Sequence, residues 1–143
     1  MRRSAFQADE DGAAVVEFAL VLPILLLIVW GIIEIGRAFY TVNIAASSSR
    51  GGARLGAACP LLLQNGVPQM NQSCVSRIKA EVASTFLPLG APLDTSDITV
   101  SPSAGAVAGP IQVTINYDYV PLTPLNWSFT MIRSATFRYE RGP

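Results

Sequence analysis

One stretch, DGAAVVEFALVLPILLLIVW from Asp11 to Trp30, constrains this chain more than any other. Residues 18–33 carry no charge. Counted from Ala13, the segment reaches the ~20 residues that cross a bilayer as a helix. Pro23 and Gly31 interrupt it, and a spanning helix tolerates both where neighbours satisfy the freed backbone groups. Pro23 predicts a kink. The one acid in the stretch after its first residue is Glu17, and an unpaired carboxylate is expensive in a core or in lipid. Residues 1–12 are polar, with Arg2 and Arg3 ahead of Asp9, Glu10 and Asp11, and read as a disordered leader.

The helical pattern does not stop where the greasy run ends. IIEIGRAFYTVNIAASSSRGGARLGAA contains no proline, and Ile35, Phe39, Val42, Ala46 and Ser49 recur at helical spacing. Phe39 and Tyr40 suit the membrane interface, with Trp30 slightly deeper. Small residues are frequent here. Gly31, Gly36, Ala45, Ala46 and Ser49 offer a face that lets another backbone approach closely. The competing reading is that Ser47–Ser49 and Gly51–Gly52 end the helix, since glycine is unfavourable by about 1 kcal/mol in a helix interior.

The remainder reads as a small head. Residues 60–73 form a loop containing NGVP, bracketed by Cys59 and Cys74. If this part lies outside the cytoplasm, the two cysteines can form a disulfide; the alternative is a pair of unlinked thiols. From Ser76, SRIKAEVASTFL puts Ile78, Val82, Ala83 and Phe86 on one face, an amphipathic helix with Ser76 near its N-cap and Pro88 beyond its end. Then the period becomes two. DITVS alternates on Ile98 and Val100. GPIQVTINYDYV sets Ile111, Val113, Ile115, Tyr117 and Tyr119 against Gln112, Thr114, Asn116 and Asp118. SATFRYE alternates Ala135, Phe137 and Tyr139 with Thr136, Arg138 and Glu140. SAGAVAG is a flexible connection and PLTPLNW a long turn. An antiparallel sheet of about three strands with a helix on one face gives an α+β head. Its core is thin enough to favour a covalent staple.

Composition excludes several function classes. Ten basic and ten acidic residues cancel, which argues against a nucleic-acid partner. There is no histidine, so the commonest general base and metal ligand are missing. Ser47–Ser49 have no base beside them in sequence, and Lys79 is the only lysine. Asp94, Asp97 and Asp118 are scattered turn residues. No phosphate-binding glycine loop of the right spacing occurs. We expect no enzyme activity, cofactor, metal or small-molecule substrate.

Three readings of the N-terminus compete. The basic start and apolar run fit a secretory signal, but three acids precede the run and no small-residue cleavage site follows it. A plain signal anchor with its N-terminus inside suits Arg2 and Arg3, although Arg37, Arg50 and Arg54 weaken the charge rule. The third reading rests on resemblance. G-AAVVEF is similar to the type IV prepilin pattern, in which the cut falls before the greasy segment. The longer run GAAVVEFALVLPILLLIVWGIIEIGRAFYTVNIAASSSRGGARLGAA resembles the N-terminal region of TadE-like proteins, pseudopilins of the tight-adherence (Flp) pilus system. Gly12, Val16, Glu17, Phe18, Ala19, Leu20, Pro23, Gly31, Glu34, Gly36, Arg37, Arg50, Ala53 and Arg54 sit on that family's pattern. SATFRYE also looks like the close of these proteins.

The resemblance implies a cytoplasmic leader over residues 1–12 and a prepilin peptidase that cuts between Gly12 and Ala13. It implies a long helix over residues 13–58, membrane-spanning in its first half, and an extracytoplasmic head over residues 59–143. Glu17, followed by Phe18, would set subunit register by meeting the freed amine of Ala13 on a neighbour. The implied partners are the membrane, the peptidase, other pilins or pseudopilins including a TadF-like one, and the pilus assembly platform. The implied location is the cytoplasmic membrane, single-pass with the head outside, or a surface pilus. The runner-up is an uncleaved, membrane-anchored envelope binding protein that never enters a filament.

Overall fold

The computed structural model describes the backbone of residues 4–122 and 128–138, and side chains within those limits from residue 12 onward. Tyr139 and Glu140, read above as the end of the last strand, lie outside the described residues. The elements in chain order are helix α1 (Ser4–Ala57), strands β1 (Leu62–Gln64) and β2 (Val67–Gln69), helix α2 (Gln72–Thr85), a single 3-10 turn (Thr95–Asp97), and strands β3 (Ile98–Ser101), β4 (Ile111–Tyr119) and β5 (Phe129–Phe137). The expected α+β class, with a long apolar N-terminal helix, a second helix and antiparallel sheet, is what the chain adopts. The chain divides into two compact units, residues 1–36 and 37–143.

The first unit is the N-terminal part of α1. It continues through Pro23 without a break in helical assignment. It also starts at Ser4, so the backbone of residues 4–11 is helical where a disordered leader was expected. Its apolar side chains point outward on every side: Val15, Phe18, Leu20, Ile24, Leu27, Ile28 and Ile32 are all exposed. A helix that is apolar all round needs an apolar surrounding. By length and composition it is able to cross a membrane.

The second unit is the head. Its sheet has the order β3-β4-β5, antiparallel throughout. Along β4 the side chains alternate strictly: Ile111, Val113, Ile115, Tyr117 and Tyr119 are buried, and the residues between them are more open. The buried face meets Ala45 and Ala53 of α1, Val75, Ile78 and Val82 of α2, and Phe86 just after it. Each fully buried Ile or Val contributes roughly 1.5–3 kcal/mol relative to exposure, so this layer dominates the head's stability. The opposite face carries Thr99, Gln112, Thr114, Asn116, Ser134 and Thr136, the polar half of the same period.

Helix α1 runs antiparallel to β4 across the core. Arg37 lies over the Tyr119 ring, and an added Cβ at Gly52 would approach Val113 while one at Gly56 would meet Ile111. The glycines do not end the helix, contrary to one of the two readings. They make it fit. A Cβ at Gly56 would sit 2.7 Å from Ile111 Cγ2 and 2.9 Å from Ile78 Cδ1. A Cβ at Gly52 would collide with Val82 Cγ2. The helical cost of these glycines is offset by the close approach they allow.

Three local expectations change. The cap of α2 is Asn71, not Ser76: its Oδ1 accepts from the Ser73 N–H at 2.9 Å and from the Ser73 hydroxyl at 2.9 Å. The loop after Cys59 contains a β1–β2 hairpin turned by Asn65 and Gly66, both with positive φ (53° and 78°), as the two-residue Asn-Gly turn requires. The connection between β3 and β4 is tied down rather than flexible. Met70 N–H donates to the Ala106 carbonyl at 3.0 Å, Gly105 N–H to Met70 at 2.9 Å and Ala108 N–H to Pro68 at 2.9 Å.

Candidate functional site

Gly12, Ala13, Glu17 and Phe18 all lie within α1, on uninterrupted helix. Ala13 and Glu17 are four residues apart and so share a helix face, one turn from each other. All four residues are exposed, Phe18 by 62%. Gly12 has nothing within 4 Å of the position a Cβ would take. What these residues present is a carboxylate one turn along from residue 13, on an apolar rod.

The small residues fall into two groups. Gly31 and Gly36 have open space where a side chain would be. Ala45 and Ser49, also expected to receive another helix, are each about 1% exposed and face the head's own core; Ala46 is half-buried. The Ser49 hydroxyl donates to the Ala46 carbonyl at 3.1 Å. The close approach anticipated on this face is therefore made, by α2 and β4 of the same chain, at Gly52 and Gly56. The spacing of those two glycines, GARLG, is the small-xxx-small pattern that marks close helix contacts, a signal that the sequence reading passed over.

Cys59 and Cys74 form a disulfide, with Cα atoms 6.2 Å apart. It joins the chain just past the end of α1 to the first turn of α2 and encloses the hairpin. At the other end of the head, Arg37 holds the segment between α2 and β3. Its guanidinium donates to the Leu89 carbonyl and lies 5.6 Å from the centroid of the Tyr119 ring. The Tyr117 hydroxyl donates to the Ala91 carbonyl at 3.0 Å in the same segment, and the Phe86 ring meets Tyr117 edge-on at 5.0 Å. Burial pushes the Tyr117 phenol above its usual pKa, opposed by the positive charge of Arg37.

The polar groups weighed as chemistry are engaged in structure. Lys79 Nζ donates to the Thr95 carbonyl at 3.0 Å. Asp94 caps the 3-10 turn, and the Ser96 N–H donating to its Oδ1 at 2.9 Å holds its carboxyl below the usual range. Asp118 accepts from the Thr130 hydroxyl at 2.6 Å. Among the described residues, no three His, Cys, Asp or Glu side chains are grouped as a metal site would need.

Comparison with known proteins agrees with the N-terminal resemblance. Residues 12–54 match the family model described as TadE-like protein, just under a third of the chain. The match begins at Gly12 and ends inside α1, so it covers the apolar segment, Glu17 and the glycine-rich turn that packs in the head. No curated protein and no solved structure matches the chain.

Proposed function

We propose that this chain is a structural subunit of a tight-adherence (Flp, type IV-like) pilus system, a pseudopilin or minor pilin that acts in assembly or initiation of the pilus. The observation that carries the reading is the coincidence of the TadE-like match over residues 12–54 with the long exposed apolar helix. In this reading a prepilin peptidase removes residues 1–12 and Ala13 becomes the N-terminus. Its α-amine is cationic near neutral pH. Glu17 of one subunit then pairs with the Ala13 amine of the next, because in lipid a paired carboxylate is far less unfavourable than a bare one. The rest of α1 keeps the subunit in the membrane, with Gly31 and Gly36 open to a neighbouring helix. The head stands outside, stapled by its disulfide, and selects partners among the other pilins and the assembly platform. The role is mechanical, with no catalysis by this chain.

The uncleaved, membrane-anchored envelope binding protein is the second reading. Intact mass and N-terminal sequencing of the protein from its native membrane separate the two. A chain starting at Ala13 is the expected result. A chain starting at Met1 replaces the pseudopilin with the simple anchor, and a start beyond Tyr40 means an ordinary signal peptide.

A further inference from the structure

An open groove of about 440 Å³ lies between α2 and β3, wholly within the head unit. Gln72, Val75 and Lys79 form its helical wall; their spacing places them on one face of α2. Ile98, Thr99 and Val100 form the other wall. Successive side chains of a strand point to opposite faces of the sheet. A groove that touches three consecutive residues therefore runs along the edge of β3. That edge is the outer one, since the sheet order is β3-β4-β5.

The backbone groups that line this edge can be assigned. In an antiparallel pair, alternate residues exchange both backbone bonds with the residue opposite, and those between them turn both groups away. The Ile98 N–H donates to the Thr95 carbonyl and closes the 3-10 turn, so it is not exchanged with Ile115, its partner in register. The opposite assignment would also require Pro102 to bond inward, and proline has no N–H. Thr99 and Ser101 therefore bond to β4. Val100 turns its N–H and C=O toward the groove, beside the Ile98 C=O. Among the described residues, the backbone bonds outside the ladders reach neither group of Val100. Val100 is only 6% exposed, and backbone groups at so enclosed a residue are costly to leave without a partner.

We infer that this groove is a peptide-binding site, in which an extended segment of another protein adds to the sheet beside β3 and sets a carboxylate opposite Lys79. Strand addition uses main-chain bonds for affinity and side-chain pockets for choice of partner. Val100 supplies a donor and an acceptor for the incoming backbone, and the Ile98 C=O a second acceptor. Val75 gives an apolar contact. Lys79 is the charged residue among those lining the groove, and it fixes the sign of the ligand. Its ammonium has three donors; one is on the Thr95 carbonyl. Asp94, in the same turn, accepts from its own Ser96 N–H. The inference concerns the head alone and does not depend on the pilus reading or on the membrane anchor.

The test uses the full chain in detergent micelles, isotope-labelled for amide NMR. The probes are hexapeptides that alternate valine and threonine in both registers, ending either in a free aspartate or in an amidated lysine. Aspartate-ended peptides are expected to bind saturably, to shift the amides of residues 98–101 and of Lys79, and to slow exchange of the Val100 amide by roughly tenfold or more. Lys79→Gln keeps a donor for the Thr95 carbonyl and removes the charge, so it should weaken these peptides severalfold. Lys79→Glu should reverse the preference toward the lysine-ended ones. Methylating the peptide nitrogens that face β3 should abolish binding. No saturable shift at 98–101 from any of the peptides would overturn the inference. So would equal binding by the methylated peptides, or binding that leaves Val100 exchange unchanged, since either outcome means that no strand is added. Shifts reproduced by acetate alone would make Lys79 a simple anion site and overturn it as well.

Discussion

Two neighbouring glycines in α1 have opposite jobs. At Gly51 nothing lies within 4 Å of an added Cβ, whereas at Gly52 the Cβ would run into Val82 and also approach Ile78 and Val113. Val82 is β-branched and in a helix, so its side chain has little freedom to move aside. Gly51→Ala is therefore expected to raise stability by up to about 1 kcal/mol through helix propensity. Gly52→Ala should lower it by about 1–3 kcal/mol through overpacking. Thermal unfolding of the two variants, followed by circular dichroism, checks the sign of each. Tyr117 supplies a second residue-scale prediction. Tyr117→Phe removes the bond to the Ala91 carbonyl and is expected to lose about 0.5–1.5 kcal/mol near neutral pH. Because burial raises the folded phenol's pKa above its ordinary value of 10.0, the unfolded chain ionises first. The phenol's favourable contribution is complete below that value and fades as pH rises through the folded one. The stability gap between wild type and Tyr117→Phe should narrow in alkaline solution; a gap that widens there would contradict the assigned cause.

Among the elements, β4 was legible because nine residues alternate without exception and one face is fully covered. Helix α1 was legible as membrane-like from its uncharged run, but its far end was not. Of the two glycines that look like a stop signal by propensity, Gly52 packs closely against α2 and β4, a contact that no local pattern encodes. The hairpin escaped for the opposite reason. Its strands are three residues long, mostly exposed, and one contains Pro68, so neither alternation nor burial marks them, and only Asn65-Gly66 hinted at the turn. The start of α2 moved because Asn71 binds its first turn through Ser73, while the apolar period becomes visible only later. The hairpin's position inside the Cys59–Cys74 loop leads to the prediction at this scale. With the two cysteines fifteen positions apart in sequence, the link should contribute roughly 3 kcal/mol in the chain-entropy model. Cys59→Ser paired with Cys74→Ser, or treatment with a reductant, is expected to lower the head's unfolding temperature and to expose residues 62–69 to protease. An unchanged unfolding temperature would mean that the hydrogen bonds from Met70, Gly105 and Ala108 suffice to hold that end.

For the whole molecule, the proposed site was legible only through the family pattern. Physical reasoning on the sequence finds Glu17 costly and stops there, because no spacing in the sequence assigns it a partner. The structure of one chain leaves Glu17 exposed on the helix, which is the arrangement expected if its complement belongs to another subunit. Two consequences separate membrane retention from assembly. Retention depends on the apolar surface of residues 18–33, and replacing one carboxylate by a methyl group leaves that surface intact, even slightly more favourable in lipid. In the proposed pilus role assembly would depend on the pair, since a neighbour's Ala13 amine entering lipid without its carboxylate would carry the desolvation penalty alone. Glu17→Ala is thus expected to reach the membrane fraction at wild-type level, to lose residues 1–12 normally, and to fail in pilus formation in the native host. Glu17→Gln distinguishes charge pairing from simple hydrogen bonding: it keeps the shape and an acceptor but not the charge, and should fail nearly as severely. Normal pili from both variants, measured by electron microscopy and by pilin recovered from sheared cells, would remove Glu17 from the register role and leave it as an interfacial residue of an anchor.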